Sequence, residues 1–171
     1  MAIEIILRAI IIGVGATALM DVWTLARQRF FAIPSLDYAL VGRWLGHMPA
    51  GRLFHPAIAK AAPVRGERVL GWVCHYLIGV LFAAGLLAAV GSDWLCRPAM
   101  VPALLLGALS VAAPLLLMQP AFGMGLAASR TANPWRARLR SLLTHLVFGA
   151  GLYLAGWLAA QWHAPSFCPV S

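Results

Sequence analysis

Charge is scarce in this sequence. Only 11% of its 171 residues are Asp, Glu, Lys or Arg, where an ordinary soluble domain has about 25%, and just five are acidic. So little charge excludes a disordered chain, which stays solvated through its polar and charged residues. Cysteine is equally sparse: three residues with no Cys-x-x-Cys rule out a disulfide-rich scaffold and a thioredoxin-like redox motif. Collagen and coiled-coil periodicities are missing too. What remains is apolar. Hydrophobic residues make up 62% of the chain, the mean hydropathy is +0.84, and 16 Gly and 11 Pro interrupt the apolar runs. This pattern reads as lipid-buried helices joined by short loops, not as a water-soluble globule.

Four stretches approach the roughly 20 apolar residues that cross a hydrocarbon core of about 30 Å. They are about 5–26, 70–90, 100–118 and 141–162 in a single polytopic domain, with loops at 27–69 and 119–140. Arg27 and Arg29 follow the first, Arg68 precedes the second and Gly91-Ser92-Asp93 ends it, while Arg136, Arg138 and Arg140 crowd the entrance to the fourth. The third has the least definite end, because the small, uncharged run from Ala121 to Ser129 can extend it past Pro120.

The formal charge of +8 comes from 13 basic against five acidic residues. In a soluble protein it would suggest nucleic acid. Here Arg27, Arg29, Arg43, Arg52, Lys60, Arg65 and Arg68 lie in one loop and Arg130, Arg136, Arg138 and Arg140 in another, leaving Arg8 and Arg97 elsewhere. By the positive-inside rule both basic loops are cytoplasmic, and the N-terminus, the 91–99 loop and the C-terminus are periplasmic. The charge is then a topology signal of an inner-membrane protein, and no nucleic-acid partner is expected. Ala16-Thr17-Ala18 imitates a cleavage site, but no basic segment precedes the apolar run, so the first span is expected to persist.

In the first basic loop, Leu36, Leu40, Trp44 and Met48 recur every four residues after Pro34-Ser35. This predicts a short amphipathic helix capped by Ser35 that lies in the headgroup region, with a lid under the bundle as the rival placement. The segment from Gly51 to Val69, with Pro56 and Pro63, reads as irregular and basic.

The two halves echo each other. His75-x-x-x-Gly79 in the second span matches His145-x-x-x-Gly149 in the fourth, Leu19-Met20-Asp21 matches Leu117-Met118-Gln119, and X-Pro follows at Ile33-Pro34 and Asn133-Pro134. The fold class expected is an all-α membrane protein of two parallel-repeat helical hairpins, with the interfacial helix inserted in the first. At a rise of 1.5 Å per residue, Asp21 lies roughly 9 Å, His75 roughly 10 Å and His145 roughly 7.5 Å inside the nearest basic residue. Gln119 joins them from the third span.

A charged Asp costs about 2.5–3.5 kcal/mol at a span centre, so Asp21 is expected to face inward and pair with His75, His145 or both. Several chemistries fit that cluster. It can bind or pass a proton, a cation or a small polar solute. It can hold a divalent metal through His75, His145 and Asp21, or haem b between the two histidines, or border a quinone pocket in a redox subunit. It can also tie the helices together with no ligand at all. No nucleophile–base arrangement points to an enzyme. His47, His55 and His163 read as solvated or headgroup-level residues, and Met20, Met118 and Met124 as adaptable packing. Small residues on the spans allow a homodimer within the lipid bilayer. Cys74 falls inside a span, whereas Cys96 and Cys168 both fall on the oxidising face and are expected to form a disulfide.

The segment from Pro34 to His47, and the stretch from Met118-Gln-Pro to His145-x-x-x-Gly149, resemble an uncharacterised family of small bacterial inner-membrane proteins. The resemblance covers almost the whole chain and implies a bacterial four-span protein. It supplies no catalytic residue, so the site residues rest on spacing alone.

Overall fold

The computed structural model describes residues 2–161. Among these residues every regular element is a helix and there is no strand. Four helices are long and apolar enough to cross a membrane: α1 (Ala2–Phe31), α3 (Glu67–Val90), α4 (Met100–Ala121) and α5 (Pro134–Ala160). A fifth, α2 (Tyr38–His47), lies in the loop between α1 and α3. Both α1 and α5 outrun the apolar stretches that announce them. Thirty residues make α1 about 45 Å long, more than a hydrocarbon core needs. Asn133 Oδ1 accepts the Arg136 N–H at 3.2 Å, which lets α5 start well before its apolar run. The length and composition of these helices make the chain a multi-pass membrane protein in contact with lipid.

The chain divides into two compact units. The first, the span unit, comprises Met1–Ala26, Tyr76–Ser110 and Thr144–Ser171. On α1, Ala9, Ile12, Ala16 and Met20 form a buried stripe at helical spacing, and Thr17 and Asp21 lie on that same face. The stripe packs with Ala83, Leu86 and Leu87 of α3, Ala103 of α4 and Phe148 and Leu152 of α5, closed by Trp94 and Leu95 from the short turn Ser92–Leu95. Ile3, Ile6, Ile10, Leu77, Leu81 and Leu105 are exposed, as lipid-facing positions should be. Backbones meet at two crossings. A Cβ on Gly79 would strike Thr17 Oγ1 and the Gly13 carbonyl, and one on Gly149 would lie 2.8 Å from the Ala103 carbonyl and 3.2 Å from Gly107 Cα. The glycine of each His-x-x-x-Gly motif is therefore where its helix touches a neighbour.

The second, the loop unit, comprises Arg27–His75 and Val111–Leu143. Asp37, not Ser35, caps α2: its carboxylate accepts the Ala39 N–H at 3.0 Å, whereas Ser35 Oγ donates to Gln28 Oε1. The chain stays non-helical through 32–37, beyond the reach of a Ser35 cap. Within this unit α2 lies backbone to backbone on the start of α3, because a Cβ on Gly42 would run into the Glu67 carbonyl and one on Gly71 into that of Tyr38. Val41 packs with Ile58, Ala121 and Phe122, with Met118 and Met124 alongside.

The third span ends irregularly. Pro114 has no N–H to give to the helix and its ring crowds the preceding turn, and the backbone opens into a π-helical segment over Ala113–Met118, in which the Gln119 N–H reaches back to the Pro114 carbonyl. After Ala121 the chain turns sharply through Gly123, at φ 87°.

Candidate polar sites in the spans

Asp21, His75 and His145 each meet a hydroxyl from a different helix. On α1, Asp21 is buried, and its Oδ2 accepts a hydrogen bond from Tyr76 Oη of α3 at 3.0 Å. His145 of α5 lies 2.7 Å, through Nδ1, from Ser110 Oγ of α4. Both pairs belong to the span unit. In the loop unit, Tyr38 Oη of α2 is 2.9 Å from Nε2 of His75 on α3, and the two rings stack at 4.1 Å.

The Ser110 contact fixes a proton. Its hydroxyl donates its one hydrogen to the Gly107 carbonyl at 2.7 Å, since a carbonyl only accepts. The hydrogen between Ser110 and His145 must then sit on His145 Nδ1, and in the neutral ring the lone pair is at Nε2. Gln119 differs from these three. Its residue is 5% exposed, and its Oε1 is buried with no hydrogen-bond partner.

Among the described residues, no three His, Cys, Asp or Glu side chains are grouped so as to hold a metal ion. Cys74 is a free thiol, while the expected pairing of Cys96 with Cys168, like His163, involves a residue outside those described.

A family described as a protein of unknown function, DUF2938, matches residues 10–159, almost the whole chain. The chain belongs to the DUF2938 family. No curated protein matches it, and no solved structure does. DUF2938 membership brings no activity and no catalytic residue.

The histidines of the first loop correct the sequence reading. His55 of this DUF2938 protein is not solvated: it is 8% exposed, and its Nε2 lies 2.8 Å from His47 Nδ1. His47 Nε2 in turn is 3.0 Å from the Ala62 carbonyl. The segment around them is irregular, as expected, apart from the single turn Ile58–Lys60, and hydrogen bonds hold it in place. Arg43 grips both carboxylate oxygens of Glu67, at 2.9 and 2.7 Å, and its third nitrogen donates to the carbonyls of Ala59 and Ala61. That bidentate bond pushes the Arg43 pKa above its usual value and keeps the guanidinium charged. Trp44 Nε1 donates to the Leu53 carbonyl at 2.9 Å. Donors three and four residues apart, at Arg43 or Trp44 and His47, share one helix face, and that spacing was the available signal.

Proposed function

We propose that this membrane protein binds or passes a proton or small polar solute at the polar side chains of its spans, Asp21, His75 and His145. One observation carries the reading: all three meet hydroxyl groups, on Tyr76, Tyr38 and Ser110, supplied by other helices. A hydroxyl both donates and accepts, so such a contact can reverse its hydrogen bond when a proton arrives or leaves. Residues of this kind inside spans usually mark ion, proton or solute pathways. The Gly79 and Gly149 crossings, one for each His-x-x-x-Gly motif, support a repeat of two hairpins. The eleven basic residues of the two loops support a cytoplasmic placement for them.

The test is proton flux in proteoliposomes carrying an entrapped pH dye, driven by a pH gradient. Asp21→Asn, His75→Gln and His145→Gln should each cut the flux at least tenfold while helical content and Tm stay close to those of the parent protein. Flux equal to the parent in all three variants would remove the pathway reading. The same contacts also tie helices together, which favours a structural clasp as the second reading. In that case Tm falls in the variants and the parent protein gives no flux above that of empty vesicles.

A further inference from the structure

The loop unit carries a short apolar segment whose backbone is fixed while its side chains stay uncovered. The Arg52 N–H donates to the His47 carbonyl at 3.3 Å, and the Leu53 carbonyl accepts the Trp44 Nε1–H at 2.9 Å. The residue after Phe54 is bonded as well, because the His55 N–H donates to the Ala121 carbonyl at 2.9 Å. Yet Leu53 is 48% exposed and Phe54 71%, and Arg52 beside them is exposed too. The segment is ordered in advance, so a partner that covers it meets little further entropy cost.

Its position selects the partner. Ala121 is the last residue of α4, whose 22 residues reach about 33 Å, close to the roughly 30 Å of a hydrocarbon core. About one turn earlier, Leu116 and Leu117 are exposed, as lipid-facing positions should be. The bond from His55 to Ala121 therefore puts Leu53 and Phe54 at the level where a span leaves the hydrocarbon. At that depth aromatic side chains sit in the acyl boundary and basic ones reach the headgroups. Gly123 brings the loop close there, since a Cβ on it would run into the Pro56 carbonyl. The stripe of α2 is used elsewhere, with Leu40, Trp44 and Leu45 packed against Val41, Ile58, Ala121 and Phe122.

Charge narrows the kind of lipid. The loop unit holds eleven basic residues against two acidic ones. Both acids are committed, Asp37 to the cap of α2 and Glu67 to Arg43, which leaves the excess positive charge for an outside anion. An exposed Arg suits a phosphate, whose oxygens accept two of its N–H groups at once. We infer that Arg52, Leu53 and Phe54 anchor the loop unit to a leaflet of anionic phospholipid, with Leu53 and Phe54 in the acyl boundary and Arg52 on a headgroup phosphate. The anchor stands apart from the passage reading, to which none of the three residues belongs.

The test replaces Phe54 by photoreactive p-benzoylphenylalanine in the full-length protein, held in nanodiscs of equal parts phosphatidylcholine and phosphatidylglycerol. Because residues 52 and 54 are exposed, changing them leaves the packed core intact. Irradiation should yield a phospholipid adduct at position 54, read by mass spectrometry. The same replacement at Lys60, exposed in the same loop, should yield at least tenfold less. Phosphatidylglycerol should exceed phosphatidylcholine in the adducts at position 54 by at least fivefold, and Arg52→Gln should lower that preference about fivefold, the share of one Arg at an anionic surface. A preference that Arg52→Gln leaves unchanged would remove Arg52 from the anchor. An adduct with a second copy of the chain would show the pair covered by protein and overturn the inference. So would equal lipid labelling at Lys60, or no lipid adduct at all.

Discussion

The contact between Ser110 and His145 sets the state of a single proton. Because Ser110 gives its hydrogen to Gly107, the structure requires the Nδ1–H form of neutral His145, which nitrogen NMR reads directly. Ser110→Ala removes the acceptor for that N–H and should cost about 1–3 kcal/mol, seen as a lowered Tm. An unchanged Tm together with an Nε2–H ring would contradict the assignment. Asp21, His75 and His145 could be picked out of the sequence because each interrupts an apolar run. Their partners could not. Tyr76 follows His75 directly but points about 100° away around the helix, and Tyr38 is 37 residues from His75. His55 was misread for a related reason. Its backbone N–H is bonded to the carbonyl of Ala121, 66 positions away in the sequence, and nothing in the residues beside it announces that contact.

At the scale of elements, α2 was legible as a helix from its four-residue repeat but not as a docked one. The stripe of Leu40 and Trp44 fits a bilayer surface as well as a protein surface. Gly42 and Gly71 decide the docking within the loop unit, through a backbone contact that a hydrophobic pattern does not encode. Gly42→Val should separate α2 from the start of α3, at a cost of about 1–3 kcal/mol for the overpacking. The readout is limited proteolysis, where cleavage in 51–66 should speed up while α3 and α5 remain intact. Resistance equal to the parent would show that the crossing tolerates a side chain. The extension of α4 past Pro114 and Pro120 was open from the sequence alone. Prolines weaken a helix without forbidding it, and here the backbone continues to Ala121 by widening into a π-helical segment.

For the whole molecule, composition alone carried the class of the protein, since four apolar helices survive any choice of boundaries. Orientation rests on the basic loops. Single cysteines placed in 51–66 of a cysteine-free variant should react with a membrane-impermeant maleimide only after the inner membrane is opened. Labelling in intact spheroplasts would reverse the topology. With the basic loops cytoplasmic, as proposed, Cys96 and Cys168 would face the oxidising side. Non-reducing peptide mapping should recover them as one linked species, and recovery of both as alkylated thiols would refute the pairing.

The side chains of α2 that hold the 51–66 loop have a mechanical corollary. Trp44, Arg43 and His47 together serve the carbonyls of Leu53, Ala59, Ala61 and Ala62. Lifting α2 would strip all four at once, so partial release gains nothing. The loop should therefore behave as a latch with two positions, and its amides should exchange with solvent in one concerted step.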